Sequence, residues 1–355
     1  MDDGIAPGKV SEAFFETRLA GRFGGERDAT LLGPTHGADF GLVDVRGTAL
    51  AMASDPLFFL RELGAERAGW FACHILLSDV ALSGLAPAHL AVSVTLPTDA
   101  DSETFGSLWR AFDRAARDAG VSITTGHTGA YEGCSYPTVG GGTALALGDH
   151  EEVVLPTGAA VGDRVVVTKG PAIETVGTLA VLFGDALDLS DSTVAAARER
   201  FPETSPVVDA LIAARAGPVT AMHDATERGL ANAFHELAAA SEVGVEIERE
   251  RVPVGEGVTE LCSALGIDPW AASSAGTVVM TVEEGGVGNV LDALASSGVR
   301  AADVGEVVED GVRADGSALD VPDSDPYWPA YTALRERATA TPPAFAWPEP
   351  YTSKL

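Results

Sequence analysis

The chain has 355 residues, with 52 acidic against 23 basic ones and a formal net charge of −29. That length suits two average domains, and the acidity leaves no broad basic surface that could displace counter-ions from a nucleic acid. No apolar run reaches the roughly 18 residues of a membrane-spanning helix, and the acidic start Met1-Asp2-Asp3-Gly4 is unlike a secretory signal, so a cytoplasmic protein is expected, with no nucleic-acid or membrane partner.

In chain order, a helix is expected from a Ser11 N-cap through Glu16. A Gly33–Asp39 loop follows, then strands at 40–45 and 48–53 joined by Arg46-Gly47. Residues 66–84 carry helical periodicity, 89–96 read as a strand, and 102–119 as an amphipathic helix closed by Gly120. Strands are expected at 121–125, running into Gly126-His127-Thr128-Gly129, and at 143–147. Beyond Pro156-Thr157-Gly158 the pattern gives a strand at 164–168, helices at 172–183 and 192–215, and a strand at 219–224. It continues with a helix at 227–240, a strand at 244–247, a helix near 256–265, a strand at 277–282, a helix near 285–297 and a strand at 302–308. Helices alternating with strands in both halves predict an α+β (α/β) fold. The expected domains are 1–156 and 157–321, with 322–355 as a Pro- and aromatic-rich tail wrapping the surface.

Lysine is nearly absent: Lys9, Lys169 and Lys354 are the whole set. Strong acidity with few lysines suits a protein kept soluble at high salt, which screens its self-repulsion, and predicts a halophilic source. Cys73, Cys134 and Cys262 form no CxxC pair and predict neither a zinc site nor a disulfide framework.

Four aspartates stand beside small residues where elements end: Asp39, Asp55, Asp79 and Asp224. Such carboxylates suit a hard cation such as Mg²⁺, which binds nucleotide phosphates alongside them; caps and turns use the same residues. Gly126-His127-Thr128-Gly129 and Gly140-Gly141-Gly142 read as loops that could admit a phosphate. Lys169, after a strand and before Gly170-Pro171, is a candidate phosphate contact. No P-loop, dinucleotide fingerprint, H-E-x-x-H or G-x-S-x-G motif occurs.

The ordered set is more specific than any member. It comprises a Gly loop ending in Asp39, Ser54-Asp55, the run Ser78-Asp79 to Ala86-Pro87, Gly126-His127-Thr128, Val167-Thr168-Lys169-Gly170, His223-Asp224-Ala225-Thr226 and Ala272 to Gly276. This set resembles the AIR synthase-like superfamily, which includes AIR synthase, the hydrogenase-maturation carbamoyl dehydratase, thiamine-monophosphate kinase and selenophosphate synthetase. Within it the chain looks most like the hydrogenase expression/formation and AIR-synthase-related branch. The resemblance implies an N-terminal domain whose sheet pairs with a second subunit in a homodimer, and ATP bound between the domains. It implies Mg²⁺ on Asp39, Asp55, Asp79 and Asp224, and nucleotide contacts from His36, Gly37, Ser78, Thr128, Lys169 and Thr226. Catalytic roles then fall to Asp79, Asp224 and His127, which stands where the family commonly has Asp. The implied chemistry is ATP-dependent phosphorylation of an oxygen of a small amide, carbonyl or phosphate substrate, with subsequent dehydration or cyclisation open. The dehydratase's terminal carrier Cys is not matched by Tyr351 to Leu355, so that reaction is not expected. Glu227 and Arg228 stand where the family has Arg and Gly, which predicts an altered grip on nucleotide or substrate. A thiamine-monophosphate-kinase-like phosphotransferase and a non-catalytic nucleotide-binding partner are the alternatives. Ala38-Asp39 in place of paired aspartates counts against the kinase.

Overall fold

In the computed structural model, residues 9, 10, 12–337 and 344–354 are described; the expected Ser11 cap lies outside them. The N-terminal half is a six-stranded sheet of β1 (Thr30–Leu32), β2 (Gly41–Val45), β3 (Thr48–Phe58), β4 (Pro87–Leu96), β5 (Ser122–Ala130) and β6 (Thr138–Gly148), in the order β1-β2-β3-β6-β4-β5. It follows a short helical segment, α1 (Glu12–Phe14), that continues as a π-turn to Leu19. Alternation along β3 explains why the sheet has two unlike faces. Ala49, Ala51 and Ala53 point inward with Leu42, Ala144 and Ala146, and their small side chains let α2 (Ala65–Ala81) lie close. Helix α3 (Ser102–Asp118) packs on α2, so tightly that a Cβ on Gly69 would lie 2.5 Å from that of Ala111. The other face carries half-buried Val43, Leu50, Met52 and Leu145 and exposed Leu147, and no described helix covers it.

The C-terminal half is a seven-stranded sheet in the order β13-β12-β9-β11-β7-β10-β8. Its strands are β7 (Arg164–Thr168), β8 (Val219–Asp224), β9 (Gly244–Ile247), β10 (Val278–Val282), β11 (Ala301–Val308), β12 (Val312–Ala314) and β13 (Ser317–Ala318). Its helices are α4 (Ile173–Phe183), α5 (Asp191–Arg198), α6 (Val207–Ala216), α7 (Gly229–Ser241), α8 (Val258–Leu265), α9 (Val287–Ser296) and α10 (Tyr327–Arg335). Helix α7 covers one face, where Phe234 and Leu237 meet Val165, Val167 and Val279. Residues of the other helices and of α2 share a single core on the opposite face. Trp70 and Phe201 illustrate that junction, with ring centroids 5.8 Å apart.

Several elements depart from the sequence expectations. The expected helix at 192–215 is two helices with a 3₁₀ turn at Phe201–Thr204 between them, because Pro202 and Pro206 remove amide donors there. The strand expected to end at Ala53 runs on through Asp55-Pro56 to Phe58, and the supposed glycine loops at 126–129 and 140–142 are strand residues of β5 and β6. Glycine is required at Gly140, because its φ of 131° is left-handed and a Cβ would overlap the Ser93 carbonyl, and at Gly142 a Cβ would press on the buried Leu76 side chain at 2.5 Å. The segment expected to wrap the surface contains α10, whose Tyr327, Tyr331 and Leu334 recur at helical spacing and join the core. Residues 344–354 also dock, with Arg67 Nη2 donating to the Ala344 carbonyl at 3.0 Å.

Candidate active site

Strand β8 is an edge of the second sheet, and its last two residues are His223 and Asp224. Adjacent strand residues point to opposite faces, so His223 turns toward α7 and Asp224 away from it. His223 Nε2 lies 2.9 Å from Glu236 Oε2 on α7, and Nδ1 lies 2.6 Å from Asp39 Oδ2. Asp39 reaches this point because the Gly33–Asp39 loop of the first domain crosses onto α7. Gly37 has a φ of 79°, and a Cβ there would lie 2.5 Å from the Glu236 carbonyl oxygen. The centre is therefore built between the domains.

Burial opposes a charge on His223, but Asp39 and Glu236 outweigh it and hold the imidazole at a pKa of about 10. With a carboxylate at each nitrogen, His223 is an imidazolium that orients Asp39. It is not available as a metal ligand, although Asp39, His223 and Asp224 offer atoms within 4.8 Å of one another. Glu236 is drawn well below the usual carboxylate range; burial opposes this, but His223 and Lys9 prevail. Asp224 moves the other way, up to about 7, through burial and then the Asp39 charge.

Asp55 and Asp79 bring further carboxyls to the cluster. Asp79, in the last turn of α2, is pushed well up by burial and then by Asp55, Asp224 and Asp39. Burial and Asp39 also raise Asp55, while a hydrogen bond with Asp79 holds it back. Oδ2 of Asp55 and Oδ2 of Asp224 are buried with no hydrogen-bond partner among the described residues, whereas Asp39 Oδ2 faces His223 Nδ1. Such orphaned oxygens are expensive unless a further cation uses them. An all-oxygen donor set fits a hard divalent ion such as Mg²⁺.

Lys9, Glu236 and Glu174 were not singled out as site residues by sequence reasoning, and Glu227 was read only as a departure from the family pattern. The Lys9 amide donates to Glu227 Oε2 at 2.7 Å and its Nζ to Glu236 Oε1 at 3.0 Å. Glu174 opens α4, and burial, then Asp325, raises it to about 7, with Glu227 and Asp224 also contributing. One signal for Glu236 was present: an acid beside Leu237 and one turn from Ala233, on the apolar side of α7. Asp325, ahead of α10, accepts from the Arg228 amide at 2.7 Å and from Ser273 Oγ at 2.6 Å. It thereby latches the loop after Asp224 to the loop before β10. Arg228 itself sits at a φ of 64°, left-handed and strained for a non-glycine residue.

The other expected residues divide. His36 and Gly37 lie in the loop that delivers Asp39, with His36 Nδ1 buried and lacking a partner. Thr226 lies in the loop after Asp224, where its carbonyl accepts from the Gly229 amide at 3.0 Å. The Ser78 hydroxyl is spent on the His74 carbonyl at 2.8 Å. Lys169 is not brought to the cluster. Its ammonium donates to the carbonyls of Glu203, Ser205 and Gly276 at 2.8–3.0 Å and lies 3.0 Å from buried Asp209. His127 also stands apart. It shares a transverse row of the first sheet with Ser93 and Gly141, whereas Asp55 shares the next row with Gly142 and Val92. Successive rows face opposite ways, so His127 lies on the uncovered face, 2.7 Å from the Tyr131 hydroxyl. Thr128 is an exposed residue of the same strand. A strand residue with its face already set cannot be placed from its motif alone.

Residues 37–163 match the family "AIR synthase related protein, N-terminal domain", and residues 160–315 match its C-terminal counterpart. Carbamoyl dehydratase HypE of Escherichia coli is 32% identical over 289 residues, 77% of this chain and 80% of the relative. This chain belongs to the AIR synthase superfamily. The thiamine-monophosphate kinase of Halobacterium salinarum is 30% identical over 297 residues, covering 80% of this chain and 92% of the kinase. Among solved structures, HypE in complex with ATP superposes with a TM-score of 0.62 at 22% identity, covering 80% of this chain and 88% of that one. AaThiL complexed with AMPPCP and TMP gives 0.67 at 21%, covering 82% and 91%. The two-domain AIR-synthase-like fold is thereby shown, and no described helix is long and apolar enough to cross a membrane.

Proposed function

We propose that this chain is an ATP- and Mg²⁺-dependent enzyme that transfers the γ-phosphoryl group to an oxygen of a small amide, carbonyl or phosphate substrate. The observation that carries the reading is the interdomain cluster of Asp39, Asp55, Asp79 and Asp224, with its orphaned buried oxygens. The similar structures of HypE in complex with ATP and of AaThiL complexed with AMPPCP and TMP lend it weight. Mg²⁺ bound by these four carboxylates would neutralise charge on the phosphates during transfer. The chain's own residues do the positioning. Glu236 fixes the His223 ring, and His223 fixes the Asp39 carboxylate. His36, Gly37 and Thr226 border the cluster on the two loops that deliver its carboxylates and are the proposed nucleotide contacts. A second copy of the chain, paired through the half-apolar uncovered face of the first sheet, is the expected assembly, and His127 would meet substrate only across such an interface.

Calorimetry at high salt tests the reading. Binding of ATP that requires Mg²⁺ and disappears in Asp224→Asn supports it; a folded protein that binds no ATP overturns it. The Halobacterium relative favours a second reading, a thiamine-monophosphate-kinase-like phosphotransferase. Phosphate transfer to thiamine monophosphate would select that reading, and ATP binding without turnover on any acceptor would select a non-catalytic partner.

A further inference from the structure

Lys9 has two anchors on the cluster, one through its backbone and one through its side chain. Its amide donates to Glu227 Oε2 at 2.7 Å, in the loop after Asp224, and its ammonium to Glu236 Oε1 at 3.0 Å. The same Glu236 carboxylate holds His223 through its other oxygen. Five carboxyl groups (Asp39, Asp55, Asp79, Asp224 and Glu236) thus meet two cationic groups, Lys9 and His223. The two cations differ in one decisive way. His223 and Glu236 side chains are 2% and 3% exposed, whereas that of Lys9 is 45% exposed. The Lys9 stem therefore runs in from the solvent side and carries its ammonium to buried Glu236, whereas the imidazolium is enclosed on every side.

We propose that Lys9 is the displaceable internal counter-ion of this cluster and competes with the divalent ion for its charge. The proposal rests on the metal-binding reading above. An ammonium neutralises one charge and accepts nothing, and it leaves Oδ2 of Asp55 and of Asp224 without donors. A divalent ion would serve those oxygens, but placed beside a fixed ammonium in a poorly solvated site it meets like-charge repulsion. Loading the metal therefore weakens the hold on Lys9, and the hold on Lys9 weakens metal binding by the same factor.

The test is Mn²⁺ binding to the full chain, without nucleotide, followed by the loss of the free-ion EPR signal. Wild type, Lys9→Met and Lys9→Arg are compared. Lys9→Met, which keeps the length and loses the charge, should bind Mn²⁺ about five-fold tighter or more, within the range of ordinary coupling energies. Lys9→Arg should stay near wild type. Equal binding by all three, or weaker binding by Lys9→Met, overturns the competition and leaves the metal site standing. No Mn²⁺ binding by any of the three overturns the metal-binding reading, and the competition with it.

Discussion

Among the described residues, the buried charge cluster at Lys169 and the one between the domains are built on opposite principles. At Lys169 a single ammonium is surrounded by three carbonyls and one carboxylate, Asp209, in a left-handed turn with a φ of 56°. Burial pushes Asp209 up and Lys169 pulls it back. At the interdomain cluster acids outnumber cationic groups, with five carboxyl groups around Lys9 and His223, and the Asp55 and Asp224 Oδ2 atoms have neither a hydrogen bond nor an ion pair. A closed cluster is a structural device, and removing either member strands the other. An open one is a site held ready for something else to complete it.

The largest expected effect falls on the closed cluster. Lys169→Met should destabilise by about 3–5 kcal/mol, because it leaves Asp209 and three carbonyls unpaired; denaturant unfolding at fixed salt reads this directly. The open cluster should respond in the reverse sense. Asp224→Asn removes one buried acid from a crowd, so stability should hold within about 1 kcal/mol or rise. Mg²⁺-dependent turnover of ATP should fall on the order of a hundredfold or more. A loss of stability as large as that of Lys169→Met would erase the distinction between the two clusters.

The His223 pair sharpens the comparison through pH. Its folded pKa of about 10 lies above the ordinary value of 6.5. The stability it contributes is therefore fully present below pH 6.5 and lost as pH rises through about 10. Against wild type, His223→Gln should be less stable at neutral pH, and the gap should narrow on the alkaline side; a gap independent of pH between 7 and 10 would mean the ring is neutral. The smallest effect is expected for His127→Ala. On the exposed face it should change stability by less than about 0.5 kcal/mol and leave Mn²⁺ affinity unchanged.

The alternation of elements, and Asp79 and Asp224 near the ends of α2 and β8, were legible because hydrophobic period and element ends are local properties; Asp55, expected at a strand end, lies inside β3. Less legible was anything decided by a partner distant in sequence. Gly140 and Gly142 resemble a loop until Ser93 and Leu76 are seen against them. Lys169 was conspicuous by rarity, and rarity could not show that Asp209, 40 positions on, would close around it. Lys9, equally rare, meets Glu236 across 227 positions. The tail at 322–355 offered prolines and aromatics, and only the fold shows that Tyr327 and Tyr331 enter the core.

Asp325 gives the site a place in time as well as in space. It holds the Arg228 amide and Ser273 together, yet it follows every aspartate of the cluster in the chain. During synthesis, which delivers the N-terminal residues first, the carboxylates emerge well before the latch that fixes the loop beside Asp224. A nascent chain halted before Asp325 clears the ribosome would hold all the acids of the site without its finished shape, and should capture Mn²⁺ more weakly than the released protein.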